Sequence, residues 1–497
     1  MNPNRHENLH VIFIPYMAPG HMMPMIDMAR LFASHGVRST VITTPANADR
    51  FSRTLYRDSL LGNPIFLETV NFPWEESGLP EGCENLISAP TPEITIKLIR
   101  AIEKLQPKIE SLVHQINPNC IVSDVLYPWS VDVAEKLQIP RIAFSGSCFF
   151  SDCVSKCIKK YRPHQGIESE SEEFVVPNLP HDVALTRSQL PDILKKKTDF
   201  TELFERLRQA EEKSFGVLIN SFYDLEPAYA DYFRKDLEVR SWNVGPLSLH
   251  NMEVDDKAER GDTASIDAQS CLTWLDSMEP SSVLYVCFGS LTRFSMSQII
   301  EMASALEDSG HPFIWVIGKL LKSEENDSRG DEWWLPQGFE EKIRDSSKGL
   351  IIRGWAPQVL ILEHQAIGGF LTHCGWNSIL EGVCGGVPFI TWPMFAEQFY
   401  NEKLVTQVLR IGVCVGNLQW KVWATEEGPV IDRAKIREAV SRVMGEAAES
   451  EEMRKKAKEL RDLARKAVGE GGSSYKDFKA LIEEIKSYTV RSRHCQK

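Results

Sequence analysis

Between Trp355 and Gln398 a strand-to-helix turn, Thr372-His373-Cys374-Gly375-Trp376-Asn377-Ser378, is followed by an acidic-amide pair, Glu397-Gln398, and the whole stretch holds no Lys and no Arg. An anion bound here would be met by backbone N–H groups, a helix N-terminus and His373, because no permanent cation is on offer. Gly375 lets backbone approach a ligand closely, and Trp376, Asn377 and Ser378 carry the orphan N–H donors of the first helical turn. Such a turn suits a diphosphate; the plainer alternative is a capped helix with a buried Trp. Trp355-Ala356-Pro357-Gln358 lies upstream of the turn, after an apolar run. Its rigid turn would present the indole as a platform for a base, with Gln358 offering both a donor and an acceptor. Glu381, one turn into the helix, would accept from ribose hydroxyls or else be a solvated helix face. Glu397 and Gln398 together suit a polyhydroxylated sugar, and the alternative for Glu397 is an acid placed at the positive end of a helix.

A second set sits in the first quarter of the chain. His21, in Ala18-Pro19-Gly20-His21, follows the first apolar run, and Asp124 follows the run Cys120 to Ser123. A His whose far ring nitrogen is oriented by an Asp is a general base for deprotonating a hydroxyl. A lone strand-end His is more often structural; the presence of the Asp at a second strand end favours catalysis. Other chemistries fail on missing residues. The chain has no GxGxxG after a strand, no GxxxxGK[ST] loop and no GxSxG elbow. His364, His373, Cys374 and Cys384 lack zinc-ligand spacing, and no Asp-x-Asp pair is present to clamp a metal-bound diphosphate. The chemistry is therefore expected to be metal-independent.

Elements that would carry these residues follow from periodicity. His10 to Pro15, a Gly-containing turn, the helical pattern Met25, Met28, Ala29, Leu31, Phe32 and the run Ser39 to Thr43 read as strand, crossover helix and parallel strand. Similar runs recur at Cys120 to Ser123, Arg141 to Phe144 and Val217 to Asn220. Beyond a charged, apolar-poor stretch from Asn251 to Ser270 the alternation restarts, with runs at Val283 to Phe288, Phe313 to Ile317, Leu350 to Ile352, Gly369 to Thr372 and Pro388 to Thr391. The prediction is α/β, two doubly wound Rossmann-like halves: residues 1–250, a linker 251–270, residues 271–472, and a terminal helix and tail, 473–497. Ligands of such sheets bind outside the carboxyl ends of the strands, so the cleft between the halves is the expected site.

Composition narrows the class. At 497 residues, with 43% hydrophobic and 25% charged, the chain reads as globular with about two to four domains. The 56 Lys+Arg against 69 Asp+Glu give a formal charge of -13, which disfavours nucleic acid and anionic membranes as partners. Eleven cysteines without a CxxC pair, no signal peptide and no apolar run near the ~18 residues of a membrane span point to a cytoplasmic protein. The sequon Asn326-Asp327-Ser328 is read as chance.

The stretch Trp355 to Gln398 resembles the donor-binding box of the plant secondary-product UDP-glycosyltransferases, and the likeness extends to Pro19-Gly20-His21, Asp124, Phe288-Gly289-Ser290 and the terminal helices. The resemblance implies the two-domain GT-B fold, with the last helix returning to the N-terminal domain. It implies that Trp355 stacks on uracil with Ala356 beside it, that Gln358 and Glu381 hold uridine and ribose, and that Ser290, His373, Trp376, Asn377 and Ser378 meet the diphosphate. Trp392, Glu397 and Gln398 would meet the sugar. Gln398 and Trp376 favour UDP-glucose as donor substrate, with no further cofactor and no metal. His21 and Asp124 match the family's dyad, which implies inverting transfer to an acceptor hydroxyl. The acceptor pocket would draw on Tyr16, Met17, Ser147, Phe149 and Phe150, Ser147 standing where relatives commonly have Thr or Ala. These apolar and aromatic residues suggest a hydrophobic acceptor, a triterpenoid or steroidal sapogenin or its glycoside first and a flavonoid or other phenolic next. UDP-galactose is the alternative donor, a silent UDP-sugar-binding protein the non-enzymatic alternative, and a metal-dependent nucleotide-sugar hydrolase a further rival. A monomer is expected.

Overall fold

In a computed structural model, the described residues are 9–198, 200–262, 264–317, 335–421 and 429–495, and the sequon at Asn326 lies outside them. The strands are β1 (His10–Ile14), β2 (Arg38–Thr43), β3 (Ile65–Thr69), β4 (Cys120–Asp124), β5 (Arg141–Ser145), β6 (Glu173–Val175), β7 (Ala184–Thr186), β8 (Gly216–Ile219) and β9 (Ser241–Asn243). They continue with β10 (Val283–Cys287), β11 (Phe313–Ile317), β12 (Gly349–Arg353), β13 (Ile367–Thr372), β14 (Phe389–Thr391) and β15 (Gly412–Cys414).

The first parallel sheet runs β3-β2-β1-β4-β5-β8-β9 and the second β12-β11-β10-β13-β14-β15. In each, strand order reverses at one place, between β1 and β4 and between β10 and β13. Those switch points open a crevice at the carboxyl ends of the strands. β1 and β4 are buried on both faces, as apolar runs covered by helices must be. Their register pairs Phe13 with Val122 and Ile14 with Ser123, so both strands end at the same level.

The chain forms two compact units, one from residues 1–149, 198–262 and 465–497, the other from 150–197 and 263–464. Residues 150–197, expected with the first half, thus cluster with the second, where β6 and β7 pair as an antiparallel hairpin. The expected linker 251–270 also differs. Up to Asp262 it belongs to the first unit, with Asn251 only 2% exposed. Arg260 Nε donates to Asp27 Oδ2 at 2.9 Å, and Asp256 pairs with Arg57 at 2.6 Å and Arg30 at 2.5 Å. Charges that look like solvated linker in the sequence are the counterparts of Asp27, Arg30 and Arg57.

The helix Ser473–Cys495 closes the first unit. Phe478, Leu481, Ile482 and Ile485 join the core built on Val11, Phe13, Phe32 and Leu218, and the Phe478 ring meets Phe32 edge-on at 5.0 Å. Asp477 Oδ2 pairs with Arg234 at 2.6 Å and accepts the Asn243 N–H at 2.9 Å, while Ser474 Oγ donates to Gly245 O at 2.5 Å. The apolar stripe at helical spacing is core, and its polar flank fixes the register on β9.

Candidate active site

His21 stands in the first turn of the helix Pro19–Ser34, directly after β1, and Asp124 is the last residue of β4. The switch point therefore brings the two together: His21 Nδ1 donates to Asp124 Oδ2 at 2.7 Å, with the imidazole side chain 31% exposed and the carboxylate 0%. The other oxygen, Oδ1, accepts the Leu126 N–H at 2.9 Å. With both oxygens accepting, the carboxylate holds one tautomer of His21, and Nε2 is left as the lone-pair atom. Gly146, after β5, lies close: a Cβ there would be 3.3 Å from His21 Nδ1. Behind the pair, fully buried Arg141 donates from Nη2 to Asp124 O at 3.0 Å and from Nε to Ser123 Oγ at 2.9 Å. Burial pulls its pKa down to about 10, which leaves a cation at neutral pH.

In the second unit, His373 and Gly375 follow β13, and Gly289 and Ser290 follow β10 across the second switch point. The His373 ring lies between two glycines. A Cβ on Gly289, which has φ +71°, would stand 2.7 Å from His373 Nε2, and one on Gly375 2.5 Å from the same atom. Burial lowers the His373 pKa to about 4, so this imidazole is neutral and would meet an anion as a hydrogen-bond donor, not as a charge. The helix Trp376–Gly385 begins here with no side-chain cap, and its first backbone bond runs from Ile379 N–H to Gly375 O. The positive end of that helix is thus presented at the turn.

Gln358 Nε2 donates to Glu381 Oε2 at 2.7 Å and to Ser378 Oγ at 3.1 Å, and Tyr285 OH donates to Gln358 Oε1 at 3.2 Å. Three residues singled out from separate motifs form one polar group, with Glu381 buried and not a solvated helix face. Trp355 is clasped by Ser265, whose N–H donates to Trp355 O at 2.7 Å and whose Oγ accepts the Trp355 N–H at 3.0 Å; Ala356 beside it is buried. Gln398, 3% exposed, turns its carbonyl inward to accept the N–H groups of Met394 and Phe395 at 2.9 and 3.1 Å. Only its NH₂ is left to address a ligand. Glu397 Oε1 accepts from Asn401 Nδ2 at 3.3 Å, and Trp392 is packed edge-on between Phe288 and Phe294.

Comparison with known proteins bears on what this assembly is. A family model described as UDP-glucoronosyl and UDP-glucosyl transferase matches residues 249–419. Scopoletin glucosyltransferase of Nicotiana tabacum is 48% identical over 97% of this chain and 98% of its own. The chain belongs to the plant family 1 UDP-glycosyltransferases. UDP-glucosyl transferase 73CC6 of Saponaria officinalis is likewise 48% identical, over 96% of each chain. Among solved structures, Glycyrrhiza uralensis UGT73P12 complexed with glycyrrhetinic acid 3-O-monoglucuronide superposes with a TM-score of 0.92 at 42% identity, covering 98% of both chains. Medicago truncatula UGT71G1 complexed with UDP-glucose gives 0.77 at 27% identity, covering 96% of this chain and 98% of its own. The fold is accordingly GT-B, two Rossmann-like domains, and the co-substrate of the enzyme is a UDP-sugar.

In this glycosyltransferase, Tyr16 and Met17 are buried after β1, and the Tyr16 ring meets the His21 imidazole at 5.8 Å. Phe149 and Phe150 are 0% exposed and belong to packed interior, Phe149 against Phe233 at 5.3 Å. Ser147, after β5, is half-buried with its hydroxyl enclosed. Among the described residues no group of three His, Cys, Asp or Glu is placed to hold a metal, and no helix is long and apolar enough to cross a membrane. Sequence reasoning missed Ser265, hidden in the supposed linker, and Tyr285, which reads as an ordinary strand residue.

One buried carboxylate of the second unit gives a pH test. Glu402, 3% exposed, accepts from Thr391 Oγ1 at 2.9 Å, and burial pushes its pKa from 4.5 up to about 7. The folded state then binds the proton more tightly than the unfolded chain, so this group's contribution to stability is full at low pH and is lost as pH rises through about 7. Glu402→Gln keeps an acceptor for Thr391 and removes the charge. It is expected to stabilise the enzyme by up to about 3 kcal/mol above about pH 8 and by little near about pH 5. Denaturant titration at both pH values measures this, and an equal effect at both would refute it.

Proposed function

We propose that the enzyme transfers glucose from UDP-glucose to a hydroxyl of a hydrophobic plant small molecule, with inversion at the anomeric carbon. The observation that carries this reading is the His21–Asp124 pair, held at 2.7 Å with the second carboxylate oxygen also engaged. His21 Nε2 takes the acceptor proton as the acceptor oxygen forms its bond to the anomeric carbon. The bond from that carbon to the diphosphate breaks on the opposite face, and UDP leaves with the electron pair. Asp124 stabilises the imidazolium that results. On the donor side, Trp355 and Ala356 take the uracil, Gln358 and Glu381 the ribose, and Ser290, His373, Trp376, Asn377 and Ser378 the diphosphate. Glu397 accepts from sugar hydroxyls and the Gln398 NH₂ donates to one, beside Trp392.

The acceptor read first is a triterpenoid or steroidal sapogenin or its glycoside. It is supported by the triterpenoid glucuronide in the Glycyrrhiza structure and by the aromatic ring of Tyr16 beside His21. A second reading, a phenolic acceptor, is favoured by the relative named for scopoletin. The reduced cysteines of the described residues support a cytoplasmic location. Incubation with UDP-glucose and a panel of sapogenins, sapogenin glycosides, coumarins and flavonoids, read by mass spectrometry and UDP release, tests both. A hexose added to a sapogenin in preference to every phenolic supports the first reading. A preference for phenolics replaces it with the second, and UDP-sugar binding without any product overturns both.

A further inference from the structure

The loop bearing Glu397 and Gln398 is held in place by a segment of chain beyond it. Asn417 Nδ2 donates to Pro393 O at 2.6 Å, the Lys421 N–H to Met394 O at 3.0 Å, and Trp420 Nε1 to Ala396 O at 2.9 Å. Phe395 O accepts the Gln398 N–H at 3.2 Å, so each carbonyl from Pro393 to Ala396 is engaged. On the amide side, the N–H groups of Met394 and Phe395 go to Gln398 Oε1. The loop is therefore specified from both edges, one by its own glutamine and the other by residues 417–421. That segment is itself anchored: the Trp420 N–H donates to Ser188 O at 3.0 Å and Ser188 Oγ to Leu418 O at 2.7 Å.

Ala396 is the critical link. It has φ +52°, in the left-handed region that costs a non-glycine residue about 1–2 kcal/mol. It immediately precedes the acidic-amide pair, and it is exposed, so burial does not hold it there. The bond to its carbonyl comes from the Trp420 indole.

We propose that Trp420 is a positioning residue for the sugar end of the donor: its indole N–H holds Ala396 in the left-handed conformation that aims Glu397 and the Gln398 NH₂. This rests on the assignment of that pair to the sugar, given above. The consequence is separable from UDP binding. The His373 turn is fixed by Gly289 and Gly375 and the base-ribose group by Gln358, Glu381 and Ser265, none of which belongs to the strap.

The test is calorimetric titration of the full-length protein with UDP and with UDP-glucose, without acceptor. Trp420→Phe keeps the ring and removes the N–H donor. It is expected to weaken UDP-glucose about 3- to 10-fold, the effect of one hydrogen bond, while UDP changes less than about twofold. Asn417→Ala is expected to shift the same ratio in the same direction. Gln398→Ala is the control for the underlying assignment, also expected to weaken UDP-glucose and spare UDP. If Gln398→Ala leaves both affinities unchanged, the sugar assignment fails and the proposal with it. If Gln398→Ala weakens only UDP-glucose but Trp420→Phe leaves both ligands unchanged, or weakens both equally, the strap role of Trp420 is overturned and the sugar assignment stands.

Discussion

His21→Ala is expected to lower kcat by about 10² to 10⁴ while UDP affinity stays within about twofold. The size follows from how completely the imidazole is prepared. Its Nδ1–H is given to a carboxylate that is 0% exposed, and that carboxylate is anchored on its other oxygen by Leu126. The neighbouring ring, Tyr16, does not replace the base, being a buried phenol whose pKa is pushed far above its ordinary value by desolvation and by Asp124. A phenol so placed does not accept a proton at neutral pH. UDP affinity is spared because the turn assigned to the diphosphate belongs to the other sheet. Steady-state kinetics with an accepted acceptor and calorimetry with UDP give the two numbers. Turnover at the parent rate would remove His21 from the base role, and a parallel collapse of UDP affinity would mean that the variant had damaged more than the dyad.

Gly375→Ala is expected to weaken UDP about 10- to 10²-fold without unfolding the protein. The backbone of Gly375, φ -60° and ψ 138°, is open to any residue, so the helix it starts is not strained by the change. The obstacle is the His373 ring. A Cβ on Gly375 falls 2.5 Å from Nε2 and 2.9 Å from Cε1, and on its other side the ring already fills the space left by the missing Cβ of Gly289, 2.7 Å from the same two atoms. His373 must leave its slot, taking with it the donor assigned to the diphosphate. Because one ring carries the effect, the penalty in a His373→Ala background is expected to be much smaller than in the parent, a coupling that a double-mutant cycle reads directly. Strict additivity would show that the methyl group acts elsewhere. Both arms use UDP titration together with a thermal melt to verify folding.

The elements that carry the site were legible because they are the ones buried on both faces. β1, β4, β10 and β13 are largely apolar runs, and each carries residues of interest at its end or in the turn that follows. Edge strands were harder. β3 alternates buried Ile65 with exposed Phe66 and ends on exposed residues, while β9 and β15 are three residues each, too short to show a period. The site residues His21, Asp124, Gln358 and Glu381 could be picked out by type and by position at strand ends. Their partners could not. Ser265 acts through a hydroxyl and a backbone amide and Arg141 by donating to a backbone carbonyl, and neither leaves a trace in spacing. The orientation of Gln398 was also hidden, because it depends on two backbone amides that only the folded loop brings within reach. The supposed linker misled for a related reason: its charges are partnered across more than two hundred residues of sequence, as Asp256 is with Arg30.

The place of the final helix has a consequence for how the chain is made. Phe478, Leu481, Ile482 and Ile485 complete the core beneath β1, yet they are translated after the whole of the second unit. The second unit, which ends at residue 464, has all of its sequence available before that helix is synthesised. The core of the unit that is begun first is therefore completed last: part of its hydrophobic surface stays uncovered until its own final helix has been made.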